Sequence, residues 1–262
     1  MSLASKFRIN TEEIFPRLTK APIVEAAIEV RAQAKMTWDE PLITKQLKTE
    51  LPDYPNVQSK SEFTSELKVR IGIGEKTEGE ILDMGWKGLR FESADKLHIA
   101  QFNRDSFLFS RLQPYNSWKQ FCDEGLRLWQ LHMNLAKPTE IQRVGLRFIN
   151  RMGLSLDEQL EDYLQILPQK PQGLDLPIGS FFHHEVLGVP GYPYAINTRR
   201  TIQPPDKATD RKIGLILDID VFTTQTFEPK AEIIERYLAE MRWLKNKVFY
   251  GNITQKAKEK FK

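Results

Sequence analysis

The stretch that decides the fold is "RVGLRFINR", Arg143 to Arg151. Apolar residues alternate with others along it, so it reads as a β-strand that projects Arg143, Arg147 and Arg151 from one face. An earlier stretch, "IVEAAIEVR" (23 to 31), follows Pro22 and reads as a second strand, with Glu25 and Glu29 sharing a face. Laid over "IQRVGLRFI" (141 to 149), it matches Ile28 to Leu146, Val30 to Phe148 and Ala27 to Gly145. Antiparallel pairing about a pseudo-twofold near Ala27 and Gly145 would set Glu25 opposite Arg147 and Glu29 opposite Arg143. Cross-strand pairs of opposite charge contribute roughly 0.2–1 kcal/mol each. The arginine row is therefore either an internal charge ladder or a surface for phosphate or carboxylate, which the planar guanidinium grips in a bidentate manner. Arg151 is the one arginine that this pairing leaves without a partner.

Working outward, the same element order occurs twice. After the first strand comes a short helix over "DEPLITKQLKTEL" (39 to 51), with Asp39 at the N-cap and Pro41 in the first turn. Three extended runs follow, "EFTSELKVRI" (62 to 71), "EILDMGWKGLRFE" (80 to 92) and "KLHIAQFNRDSFLFSRL" (96 to 112), and "SWKQFCDEGLRLWQLHMNLAK" (117 to 137) closes the half as a long helix. From Glu140 the order repeats: a strand, a short helix over "SLDEQLEDYLQIL" (155 to 167), three extended runs, and a long helix within "EPKAEIIERYLAEMRWLKNKVF" (228 to 249). The first strand recurs after about 118 residues and the closing helix after about 113. The expected fold class is α+β: duplicated β-α-β-β-β-α halves forming a mainly antiparallel curved sheet, with the long helices packed on one face and a concave face free. The expected organisation is an N-terminal extension over 1–20, a first half over 21–138 and a second half over 139–262, joined as one compact unit with a basic C-terminal tail.

Composition sets bounds. The 262 residues are 40% hydrophobic and 28% charged, ordinary values for a globular chain. A net charge of +3, from 38 basic and 35 acidic side chains, is far from the concentrated basic footprint of a dedicated nucleic-acid binder, and neither implies nor excludes nucleic acid. Cys122 is the only cysteine and sits in a helical pattern, which fits a reducing compartment. "MSLASKFRIN" has no apolar leader region, and no run approaches the ~18–20 apolar residues of a membrane helix. A cytoplasmic protein without membrane contact is expected; no oligomeric state follows.

Four motifs bear on chemistry. "LDIDV" sets Asp218 and Asp220 on one strand face, where they could hold Mg²⁺, act as an acid/base pair, or partner the same arginine row or Arg199 and Arg200, the last reading being favoured because no third ligand is evident. "FFHHEV" puts His183 and Glu185 on one face, but zinc requires three or four such ligands. "GIGEKTEG" (72 to 79) leads from strand to strand and reads as a hairpin rather than a dinucleotide loop. "SRLQPYNSWKQF" (110 to 121) gathers Arg111, Tyr115 and Trp118 where a strand becomes a helix, either lining a pocket or locking the helix to the sheet. The basic tail reads as a solvated helix face.

"APIVEAAIEVR", "SRLQPYNSWKQF", "RVGLRFINR", "LDIDV" and "NKVFYGNIT" (246 to 254), in this order across the whole chain, resemble a sporadically distributed prokaryotic family of unknown function. The resemblance implies a cytoplasmic single-chain protein and carries over no catalytic residue. The doubled unit is also similar in plan to the effector-binding domains of bacterial regulators and to the saddle of the TATA-binding protein, an analogy of fold alone.

The expected function is a non-catalytic module that binds a small anionic ligand or effector on the concave sheet face through Arg143, Arg147, Arg151, Glu25 and Glu29, without a cofactor. The alternatives are a metal-dependent enzyme acting on phosphodiesters, with Asp218 and Asp220 as weak metal ligands and a toxin or defence role, and an interaction subunit of a complex.

Overall fold

The structure, a computed structural model, describes residues 7–68, 78–155, 157–169, 171–173, 176, 178–205 and 212–262, with the backbone alone for 62–68 and 78–84. The hairpin expected at 72 to 79 lies largely outside the described residues. Strands run over Ile23–Arg31 (β1), Asn56–Lys68 (β2), Glu78–Glu92 (β3), His98–Asn103 (β4), Ser106–Leu112 (β5), Arg143–Leu154 (β6), Phe182–Gly188 (β7), Tyr194–Gln203 (β8) and Ile213–Thr223 (β9). Helices run over Glu40–Glu50 (α1), Trp118–Ala136 (α2), Ala231–Asn252 (α3) and Gln255–Lys260 (α4). All nine strands form one antiparallel sheet in the order β2-β3-β4-β5-β1-β6-β9-β8-β7, so the class is α+β.

β1 and β6 meet at the centre, but two residues out of the expected register. Ala27 faces Arg147, Glu29 faces Gly145, Glu25 faces Ile149 and Arg31 faces Arg143. The expected pairings of Glu25 with Arg147 and Glu29 with Arg143 as direct neighbours are thereby corrected. A two-residue slip is one full pleat repeat and leaves every side chain on its original face, so the apolar pattern could not distinguish the two registers.

Two further expectations change. "KLHIAQFNRDSFLFSRL" is a hairpin of two strands, β4 and β5, turning at Arg104 and Asp105, where Asn103 Nδ2 donates to Ser106 Oγ at 3.1 Å and Ser106 Oγ to Asp105 Oδ1 at 2.9 Å. The first half thus has four strands after its helix and the second has three. The helix expected over 155 to 167 is only a 3₁₀ turn at Leu160–Asp162. Its surroundings claim its backbone: Gln165 N donates to Asn252 O at 2.9 Å and Thr254 N to Tyr163 O at 3.0 Å, which a continuing helix could not allow. The basic tail is docked there too. α4 buries Ala257, and Lys260 Nζ reaches Glu158 Oε1 at 2.6 Å, holding that carboxyl down to about 2.

α2 and α3 pack on the sheet face that carries Ile28, Phe109, Phe148 and Leu217. α2 starts where expected, with Ser117 Oγ accepting from Gln120 N at 3.2 Å, and α1 starts with Asp39 Oδ1 accepting from Leu42 N at 2.9 Å. α2 lies close to β1: a Cβ on Gly125 would stand 2.7 Å from Ile28 Cδ1. No helix among the described residues is long and apolar enough to cross a membrane. The N-terminal segment straps across α3, with Phe15 stacked on Tyr250 and Glu13 accepting from Trp243 Nε1 at 2.8 Å.

Beneath α2, His132 is fully buried among Trp38, Phe102, Phe107 and Trp129, and neither ring nitrogen has a hydrogen-bond partner. Burial pushes its pKa down from 6.5 to about 3. Below pH 6.5 the unfolded chain takes up a proton that the folded chain refuses until about pH 3, so stability is complete above 6.5 and falls as pH drops through this window. Each unit of the gap corresponds to about 1.4 kcal/mol. Urea melts at pH 7, 5.5 and 4 should therefore show a decline of several kcal/mol that His132→Leu largely removes; an equally steep decline in the variant would refute this account.

Candidate functional site

The face opposite the helices carries Glu25 and Glu29 from β1, Arg143, Arg147 and Arg151 from β6, Asp218 and Asp220 from β9, and Asn197 and Arg199 from β8. Glu29, Gly145 and Phe222 form one cross-strand row. A Cβ on Gly145 would stand 2.5 Å from Arg143 Nη1. Arg143 therefore lies flat along its own strand above that glycine. It bonds Glu29 on one side and Asp220 Oδ2 at 2.8 Å on the other, with its guanidinium 4.7 Å over the Phe222 ring.

Arg147 makes a bidentate pair, Nε to Asp218 Oδ1 at 2.8 Å and Nη2 to Oδ2 at 2.7 Å, which raises its pKa. Arg199 Nη1 shares the same carboxylate at 3.4 Å. Burial raises the Asp220 pKa against the opposing pull of Arg143 and the hydrogen bond from Asn197. Glu25 accepts from Ser110 Oγ at 2.8 Å instead of from an arginine. Arg151 folds over Gly214, donates from Nη2 to Lys212 O at 3.3 Å, and leaves a buried Nε without a partner.

The two aspartates are thus engaged by arginines, and no group of three or more metal-ligating side chains occurs among the described residues. His183 and Glu185 turn to the helix side, where Arg200, only 1% exposed, bonds His183 Nδ1 at 2.8 Å, Glu185 Oε2 at 3.1 Å and Asn252 Oδ1 at 3.2 Å.

Capacity for a ligand lies instead on the helix side, at the "QPYNSW" turn joining β5 to α2. Tyr115 wedges between Phe121 and Phe148, at ring separations of 5.9 and 5.5 Å. Tyr115, Asn116 and Ser117 border two cavities, one on each flank. The first, about 580 Å³, is lined by Asp95, His98, Arg111 and Glu124 among others. Arg111 donates from Nη2 to Pro114 O at 2.9 Å, while its buried Nη1 has no hydrogen bond and lies 3.9 Å from Asp95 Oδ2. Burial and the Arg111 charge lower the pKa of His98. Burial pushes Glu124 up, but hydrogen bonds from Arg127 and Tyr54 outweigh it and keep the carboxyl below its usual range.

The second cavity, about 620 Å³, lies between α3, the turn and the N-terminal strap. Arg17, Arg242 and Lys245 line it. None of the three has an ion-pair partner among the described residues, whereas Glu13 at the rim is tied to Trp243 and to Lys247 at 2.6 Å. Arg242 lies 5.3 Å over the Trp118 ring and Lys245 Nζ 4.1 Å over Phe148. Burial, with Arg242 adding to it, lowers the Lys245 amine from 10.5 to about 7. The first turn of α2, which contains no acidic residue, borders the same space through Trp118. Sequence reasoning missed Lys245, yet a signal was there. With Met241 four residues before it and Phe249 four after, it occupies a position of the apolar stripe.

The Gly145 contact predicts a coupling. Gly145→Ala should destabilise the protein by about 1–3 kcal/mol in urea melts, by displacing Arg143. In an Arg143→Ala background most of that cost should vanish; strict additivity of the two changes would show that the glycine is not there for the arginine. The chain matches no protein-family model and no curated protein, so the chemistry of these residues stands on its own geometry.

Proposed function

We propose that this chain is a non-catalytic binding module for a small anionic ligand or effector, held in the cavity between α3, the strap and the Tyr115 to Trp118 turn. The observation that carries the reading is the set Arg17, Arg242 and Lys245, three basic side chains that line one cavity with no ion pair among the described residues, while of the cavity's two acids Glu12 is exposed and Glu13 is tied to Lys247 and Trp243. Several partly buried cations of the sheet are answered by acids, Arg143 by Glu29 and Asp220, Arg147 by Asp218 and Arg200 by Glu185, whereas half-buried Lys245 is not, and Arg17 and Arg242 stand exposed beside it. Cations left unanswered around a cavity lined by Tyr115, Trp118 and Tyr250 suit an anion with some apolar body.

On this reading Arg143 and Arg147 belong to the scaffold and Arg151 is the open-face arginine with binding capacity in reserve. The two halves are read as diverged copies, a view supported by the central pairing of β1 with β6 and by the long helix that follows each set of strands. A cytoplasmic setting agrees with Cys122, whose thiol burial pushes up to about 11, away from ready oxidation.

A thermal-shift panel of phosphate, sulfate, citrate, keto acids and nucleotides tests the reading. At least one anion should stabilise the protein, by about 1.4 kcal/mol near ten times its Kd. Lys245→Met or Arg242→Gln should weaken that anion by about tenfold or more, while Arg147→Ala leaves its affinity unchanged. A flat response across the panel, or equal binding by Lys245→Met, would overturn it.

A further inference from the structure

Lys245 is placed for more than charge. It projects from α3 between Met241 and Phe249 and rests on the Phe148 ring, with its stem half-buried and its Nζ 4.1 Å from the ring centroid. The charged groups that line its cavity are Arg242 on the same helix and Glu12, Glu13 and Arg17 on the strap; the tyrosines are Tyr115 and Tyr250. Glu12 is exposed, and Glu13 is engaged by Trp243 and Lys247. No carboxylate therefore holds Lys245 as an ammonium.

Resting on the binding reading above, we infer that Lys245 captures carbonyl compounds: the cavity takes a small keto acid or aldehyde acid, whose anionic group meets Arg242 and Arg17 and whose carbonyl carbon forms an imine with Lys245 Nζ. An amine is nucleophilic only with its lone pair free, and burial leaves a large share of this one unprotonated near neutrality. The lone pair attacks the carbonyl carbon and the C=O π pair moves to oxygen. That oxygen gains a proton while nitrogen loses one, giving a carbinolamine. Loss of the hydroxyl as water, with a further proton, leaves the C=N bond, so amine plus carbonyl equals imine plus water and no oxidant or reductant is consumed. The aromatic floor of Phe148 and Tyr115 covers one side of the imine, reducing the approach of the water that would return it to its components.

Reductive trapping on the full chain decides the matter. The protein is incubated with glyoxylate, or with propanal as a neutral aldehyde, in the presence of cyanoborohydride at pH 6, 7 and 8, and modified lysines are mapped by peptide mass, each aldehyde's rate at Lys245 being taken relative to its rate at exposed lysines. Lys245 should be labelled by glyoxylate at least about tenfold faster than exposed lysines such as Lys119 or Lys230, with the rate falling below pH 7. Lys245→Met should lose that label and keep its melting transition. Labelling spread evenly over surface lysines would overturn the imine, even if the anions of the thermal-shift panel still bind. Selective labelling of Lys245 by propanal and glyoxylate at equal rates, without competition from phosphate or sulfate, would uphold carbonyl capture and overturn the anionic reading.

Discussion

Where β1 pairs with β6 at the centre of the sheet, a missing side chain makes room for the charge network that links them. Gly145 leaves a floor on which the Arg143 guanidinium lies down, and from there it reaches Glu29 on one neighbouring strand and Asp220 on the other. One arginine thus ties three strands together at the middle of a nine-stranded sheet. The partners need it as much as it needs them. Asp220 is sufficiently withdrawn from water that burial already raises its pKa, and without Arg143 the carboxylate would have only Asn197 and the more distant Arg147 to answer its charge.

The same strand determines the opposite face. With Arg143, Arg147 and Arg151 on one side, the pleat sends Phe148 and Asn150 to the other. Phe148 supports Tyr115, Phe121 and Lys245, and Asn150, anchored by its amide to Leu217 O at 3.0 Å, lines the second cavity. β6 therefore holds a closed charge network and the floor of an open cavity back to back, and whatever fixes its register fixes both.

Much of this was legible from residue order. The centrality of β1 and β6, the N-caps Asp39 and Ser117 and the pairing of the "LDIDV" acids with arginines all follow from alternation, cap chemistry and charge. The register did not, because a shift by two keeps each residue on its face, and the contacts of Arg143 with Glu29 and Asp220 on the neighbouring strands are tertiary. The helix read over 155 to 167 has a helical pattern, but its carbonyls and amides are claimed by the segment joining α3 to α4, a partner about 90 residues away that no local pattern reveals. Lys245 and His132 were visible as polar residues at apolar-stripe positions; what surrounds them was not.

The way this chain handles charge argues that Lys245 is kept for a purpose. Several cations that hold the fold have an acid beside them: Glu158 at Lys260, Glu185 at Arg200, Asp218 at Arg147. Lys245 has no acid; burial, with the neighbouring Arg242 adding to it, depresses its pKa and disfavours its charged form, an effect reduced by the solvent that its half-buried stem still meets and opposed by the Phe148 ring beneath its Nζ. Packing gives no reason for that cost, since methionine would fill the same volume without it. A half-buried lysine with a depressed pKa and no acid, beside a cavity of about 620 Å³, is the kind of local inconsistency on which the proposed binding reading rests.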